Sequence, residues 1–117
     1  MTEIHDLTVT ELAAAIASRQ LSPPEITEHY LARTARLNDQ VGAFYTVTPE
    51  LATEQAAAAE KVVAAALGKG GLGASALPPL TGIPIPIKDL NMVAGVRLTY
   101  GSATLADNVA SEDDYVV

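Results

Sequence analysis

The residues of this chain best placed to do chemistry are Lys88 and Asp89. They close an apolar run, Leu80 to Ile87, in which Ile83, Ile85 and Ile87 alternate with Pro84 and Pro86. A period of two is the pattern of extended backbone, and it sets Lys88 on the side opposite the isoleucines. A lysine on such a strand is expected to be partly buried. Burial disfavours the charged form of a lysine, and a neutral lysine can accept a proton as a general base. The ordinary alternative is a solvated Lys–Asp pair worth under about 1 kcal/mol. Asp89 either holds the lysine in its charged form or ties down the backbone of a loop.

Other chemical patterns are weaker. Gly68-Lys69-Gly70-Gly71-Leu72-Gly73 matches G-x-G-x-x-G letter for letter, but the dinucleotide motif requires a strand before it and a helix after it. Here a helix precedes, so the run reads as a flexible link and no cofactor is expected. His5 and His29 lack a ligand at metal spacing and read as surface or helix-packing residues, so no metal is expected either. Glu112-Asp113-Asp114 offers too few fixed oxygens for a cation and reads as the opening of a helix, where carboxylates favour the positive dipole end.

Composition narrows the function classes further. Seven Lys and Arg against fourteen Asp and Glu give a formal charge of −7. That balance argues against a nucleic-acid partner, which needs a positive footprint, and against docking on an anionic membrane. No apolar run approaches the roughly 18 residues of a membrane span. Residues 1–6 are polar and lack the basic head and apolar middle of a signal peptide. The absence of Cys removes disulfides, thiolate zinc sites and Cys nucleophiles together. The expectation is a soluble, cytoplasmic protein.

The elements that must position Lys88 are legible mostly in the first half. Thr8-Val9-Thr10-Glu11 fits a capping box, with Leu7 and Leu12 at staple spacing. Ser22-Pro23-Pro24-Glu25 repeats the device with proline at the first helical position, and Leu21 and Ile26 form its staple. These signals predict helices over 9–19 and 23–38. Val41 to Val47 is short and rich in β-formers and predicts a short strand or an extended turn. Thr48-Pro49 opens a third helix whose Ala-rich body runs from Glu50 to Leu67. Residues 68–81 form a Gly/Pro loop. Beyond it, residues 82–117 are expected to hold the Lys88 strand, a loop through Thr99–Thr104 leading into a short helix, and a final helical turn from Glu112.

Pro79-Leu80-Thr81-Gly82-Ile83-Pro84-Ile85-Pro86-Ile87-Lys88-Asp89, then Ala94-Gly95-Val96, then Thr99-Tyr100-Gly101-Ser102, resembles the amidase signature family. Its pattern is P-L-x-G-x-P-x-x-[IV]-K-D followed by A-G-x-x-[ST]-T-x-G-S. The helical start is similar as well, through Leu7-Thr8, Glu11-Leu12, Ser22, Glu25-Ile26, Tyr30-Leu31, Arg33, Asn38 and Ala43-Phe44. The resemblance implies an α/β fold with a mixed central sheet covered by helices, of which this chain is the N-terminal helices and first strands. It implies a Ser–cis-Ser–Lys triad in which Lys88 is the lysine. Asp89, Gly101 and Ser102 become supports of the active centre, and Ser102 is not a nucleophile. The serine-bearing G-G-S-S-G-G segment does not occur in these 117 residues. The chain is therefore expected to be a piece of a larger hydrolase of small-molecule amides, inactive alone, with a homo-oligomeric whole protein left open. One alternative is the transamidating component, the A subunit, of a tRNA-dependent amidotransferase. Another is a non-catalytic remnant or helical interaction module. Leu98-Thr99-Tyr100 departs from the T-T-[AC]-G-S loop usual in the amidotransferase and favours the stand-alone amidase.

Overall fold

A computed structural model describes residues 2–117. Met1, part of the polar opening stretch, lies outside them. The chain divides into two compact units, one of residues 2–42 and 49–84 and one of residues 43–48 and 85–117.

The first unit is helical. After a 3-10 turn at Ile4–Asp6, α1 spans Val9–Ala17, α2 spans Pro23–Val41 and α3 spans Pro49–Leu67. Both expected capping boxes form. The Thr8 hydroxyl accepts from the Glu11 N–H and the Glu11 carboxylate accepts from the Thr8 N–H; Ser22 and Glu25 make the same exchange at the start of α2. Each box satisfies orphan N–H groups of the first turn. The hydrogen bonds from Thr8 backbone and hydroxyl hold Glu11 below the usual carboxylate range. Those from the Ser22 hydroxyl and backbone do the same to Glu25.

The apolar faces of the helices meet in one core. Leu12, Ile16, Ile26 and Val63 are buried there, with Ile26 and Val63 at 0% exposure, and Leu7, Leu21, Tyr30, Leu67, Leu77 and Ile83 pack against them. The predicted staple residues are thus core residues. Arg19, in a positive-φ turn after α1, donates to both carboxylate oxygens of Glu60 on α3, at 2.6 and 3.2 Å. Gly82 has φ +82°, and a Cβ there would come within 2.4 Å of Pro23 Cγ. Only glycine lets the backbone approach the first turn of α2 this closely.

Helix ends differ from the sequence expectation by a few residues. α2 runs on through Val41 and stops at Gly42, whose left-handed backbone returns its N–H to the Asn38 carbonyl. Of the two readings of Val41–Val47 the strand does not form: residues 43–47 are irregular, with a bend at Tyr45–Thr46. The Gly68–Gly73 run is a helix exit: Gly68 N–H bonds the Ala64 carbonyl and Gly73 N–H bonds the Ala66 carbonyl. The chain then enters a 3-10 turn at Ala74–Ala76.

The second unit contains no regular strand among the described residues; its ladder is a single antiparallel bridge between Arg97 and Val109. The central sheet of the expected α/β architecture is thus not present within these residues. Residues 83–88 form no helix, turn or ladder; Pro84 and Pro86 remove two donors and a strand needs a neighbour. Ile85 and Ile87 are exposed accordingly. The helix expected from Glu112 is also absent, because Asp113 and Asp114 are occupied elsewhere. Asp114 accepts from Met92 N–H and Asn91 Nδ2, both at 3.1 Å, and Asp113 accepts from Ala94 N–H at 2.8 Å.

Candidate active site

Lys88 and the three expected support residues lie together in the second unit. The chain turns directly after Lys88: its carbonyl accepts from the N–H groups of Leu90 (2.7 Å) and Asn91 (3.0 Å). This turn aims Asp89 at Thr99. Asp89 Oδ1 accepts from the Thr99 N–H at 2.7 Å, and Asp89 Oδ2 accepts from the Thr99 hydroxyl. The same hydroxyl oxygen accepts from Gly101 N–H at 3.1 Å. Thr99 is 3% exposed, so the pairing is held inside the unit.

These bonds set the electrostatics of Asp89. The Thr99 hydroxyl, then the Thr99 N–H, hold its carboxyl below the usual aspartate range, with smaller help from Gly101 N–H and the Lys88 charge. Hydrogen bonds to a carboxylate favour its ionised form. Of the two roles open to Asp89 from sequence, the geometry displays the loop tie.

Beyond Thr99 the backbone turns sharply. Tyr100 and Gly101 take φ of 52° and 73°, and Ser102 N–H closes the turn on the Thr99 carbonyl at 2.9 Å. A tyrosine at positive φ is uncommon and costs conformational energy; here the Asp89–Thr99–Gly101 bonds hold the segment around it. The Ser102 hydroxyl shares a 2.8 Å bond with Thr104 Oγ1 at the start of the 3-10 turn Ala103–Leu105. In place of a helix after the Thr99–Thr104 loop, this three-residue turn begins within it.

A second set of bonds braces this unit. Gly95 N–H and Ala110 carbonyl, Ala110 N–H and Val96 carbonyl, and Leu98 N–H and Asn108 carbonyl pair at 2.9–3.0 Å. Arg97 lies over the Tyr45 ring, 5.7 Å from its centroid. Leu98 and Ala110 are buried beneath.

Lys88 itself is exposed, where the sequence predicts partial burial. The reason is the missing ladder: with no strand formed beside residues 85–88, the expected apolar cover is not supplied within the described residues. The lysine therefore stands on a fixed backbone with its ammonium open to approach.

Sequence reasoning missed three contributors. Thr99 is the partner that fixes Asp89, and only its place in the Thr99–Ser102 segment signals it. Asp113 and Asp114 anchor residues 91–94 from about twenty positions away, which a local pattern cannot reveal.

Comparison with known proteins gives the family. Residues 25–117 match the family model described as Amidase, so the chain belongs to the amidase family. It is 41% identical over 118 residues to a putative amidase of Synechocystis, with all of this chain and 22% of that protein covered. It is 40% identical over 117 residues to the A subunit of the glutamyl-tRNA(Gln) amidotransferase of Acinetobacter baumannii, again with 100% of this chain and 22% of that protein covered. The corresponding protein of Methylococcus capsulatus is 42% identical over 114 residues, with 97% of this chain and 22% of that protein covered. The chain thus spans about a fifth of the length of the curated relatives it matches. Among the described residues no helix is long and apolar enough to cross a membrane.

Proposed function

We propose that the whole protein is an amidase that hydrolyses carboxamide C–N bonds, and that this chain contributes the lysine of a Ser–cis-Ser–Lys mechanism. Lys88, neutral when the site is assembled, takes the proton of a nucleophilic serine through a bridging serine. The serine oxygen attacks the amide carbonyl carbon, and collapse of the tetrahedral intermediate breaks the C–N bond. The leaving amine takes the proton back from Lys88, and water then hydrolyses the acyl-enzyme. Both serines lie outside these 117 residues. Segment 83–88 would join a sheet there, which would also shield Lys88 from water and favour its neutral form. Asp89, Gly101 and Ser102 act as positioning residues, the substrate is a small-molecule amide, and the location is cytoplasmic.

The observation that carries this reading is the Asp89–Thr99 clamp, which fixes the peptide directly after Lys88. A general base must be held within hydrogen-bond reach of the proton it takes, and a clamped backbone supplies that constancy. The test is ammonia release by the whole protein from a panel of carboxamides, with and without a serine-directed fluorophosphonate. Hydrolysis abolished by labelling of one serine is expected. Hydrolysis that survives complete labelling, or none on any carboxamide, contradicts the reading.

The 40–42% identity to the amidotransferase proteins supports a second reading, a transamidating component that releases ammonia for a partner. Ammonia release that depends on partner proteins and charged tRNA would select it over the stand-alone amidase.

A further inference from the structure

Away from Lys88, the N-terminal 3-10 turn brings together groups that the sequence left apart. His5, in that turn, and His29, on α2, are 24 positions apart, yet His5 Nδ1 and His29 Nε2 lie 2.9 Å from each other. Their rings stack with centroids 5.1 Å apart and planes inclined by 16°. Tyr30 packs against the His29 ring in a T-shaped pair with centroids 5.5 Å apart. The carboxylate of Glu3 completes the group: one ligand atom from each of Glu3, His5 and His29 lies within 4.8 Å of the other two. The two histidines, far apart in sequence, thus meet through the packing of residues 3–6 against α2.

We propose that Glu3, His5 and His29 form a binding site for a divalent transition metal of the zinc class. The donor set, two imidazoles and one carboxylate with room for water, is one that zinc takes with three protein ligands. The spacing suits it. Two imidazole nitrogens at about 2.0–2.1 Å from zinc lie about 2.9 Å apart at a right angle and about 3.4 Å apart at the tetrahedral angle. The two nitrogens already stand within that range, and the exposed Glu3 side chain needs only to swing inward. Asp6 is the nearest outer carboxylate: its Oδ1 is 3.9 Å from His5 Nε2, so it would have to move closer to bond that nitrogen. A carboxylate behind a ligating imidazole orients the ring and raises its basicity. Imidazole donors select zinc, nickel or copper over magnesium and calcium, which require more oxygens. A bound ion would clip the N-terminal turn to α2. This site is independent of the proposed amide chemistry.

The test uses the whole protein and zinc chloride, with magnesium chloride as the control. Calorimetry should show one equivalent of zinc, lost in the double variant H5A/H29A and weakened in Glu3→Gln, while the variants keep their helical circular dichroism. A readout on the unaltered protein guards against misfolded variants: zinc should protect the peptides holding His5 and His29 from diethyl pyrocarbonate, and magnesium should not. Zinc uptake unchanged in H5A/H29A, or carbethoxylation of His5 and His29 at the same rate with and without zinc, would overturn the proposal.

Discussion

Asp89 takes both donors of Thr99, its N–H and its hydroxyl, across ten residues of chain. The Thr99 oxygen in turn receives Gly101 N–H. One buried threonine therefore joins the peptide after Lys88 to the loop that carries Gly101 and Ser102.

If that pairing positions Lys88, Thr99→Val should disturb it with almost no change in volume. The valine removes the hydroxyl, leaving one Asp89 oxygen and Gly101 N–H without this partner. In the whole protein, kcat on a carboxamide should fall about ten- to a hundredfold, the scale of a small misplacement of a catalytic group. KM should move little, and Thr99→Ser should restore most of the rate. Equal losses in the valine and serine variants would mean the hydroxyl does not matter.

The depressed carboxyls give a direction to the pH dependence. Asp89, Glu11 and Glu25 all titrate below their ordinary ranges because of the hydrogen bonds they accept. A group whose folded value is lowered stabilises the fold above its unfolded value and loses that contribution as pH falls through the folded one. Stability to urea should therefore decline below about pH 4, the ordinary carboxylate range. The decline should be shallower in Glu25→Gln, measured by equilibrium unfolding between pH 2 and pH 6 as rough bounds of that range.

Gly82→Ala should destabilise by more than about 1 kcal/mol, since alanine is strained at positive φ. The new methyl would also strike Pro23. Gly82→Ala paired with Pro23→Ala should relieve the 2.4 Å contact with Pro23 Cγ, but neither the 2.9 Å contact with its Cβ nor the backbone strain. Thermal unfolding of both variants separates the Cγ contact from the rest.

Ser22→Ala should cost about 1 kcal/mol through loss of the α2 cap. Chemical denaturation reads this directly, and Ser22→Asp should restore most of it, because aspartate also caps.

The cap variant also marks where the sequence was most readable. Helix starts at Val9 and Pro23 follow from short-range signals, a hydroxyl and a glutamate three residues apart, so local pattern suffices. Leu7, Leu12, Leu21 and Ile26 enter the core for the same reason. Local pattern fails where the partner is remote. Asp113 and Asp114 look like a helix opening but satisfy Met92 and Ala94. His5 and His29 look isolated and meet across the turn–α2 contact. The alternation at Ile83–Ile87 reads as a strand, yet a strand also needs a neighbouring strand, which these residues do not contain. Lys88 was recognisable by its motif, whereas its exposure follows from that unfilled pairing.

The central claim is that Lys88 is the proton acceptor of amide hydrolysis, and Lys88→Ala in the whole protein tests it most directly. Ammonia release from the best carboxamide should fall by about 10²–10⁴-fold, the range supplied by a general base. Circular dichroism and thermal unfolding should remain as in the unaltered protein. A Lys88→Ala protein that stays folded and hydrolyses the amide at the original rate would contradict the account.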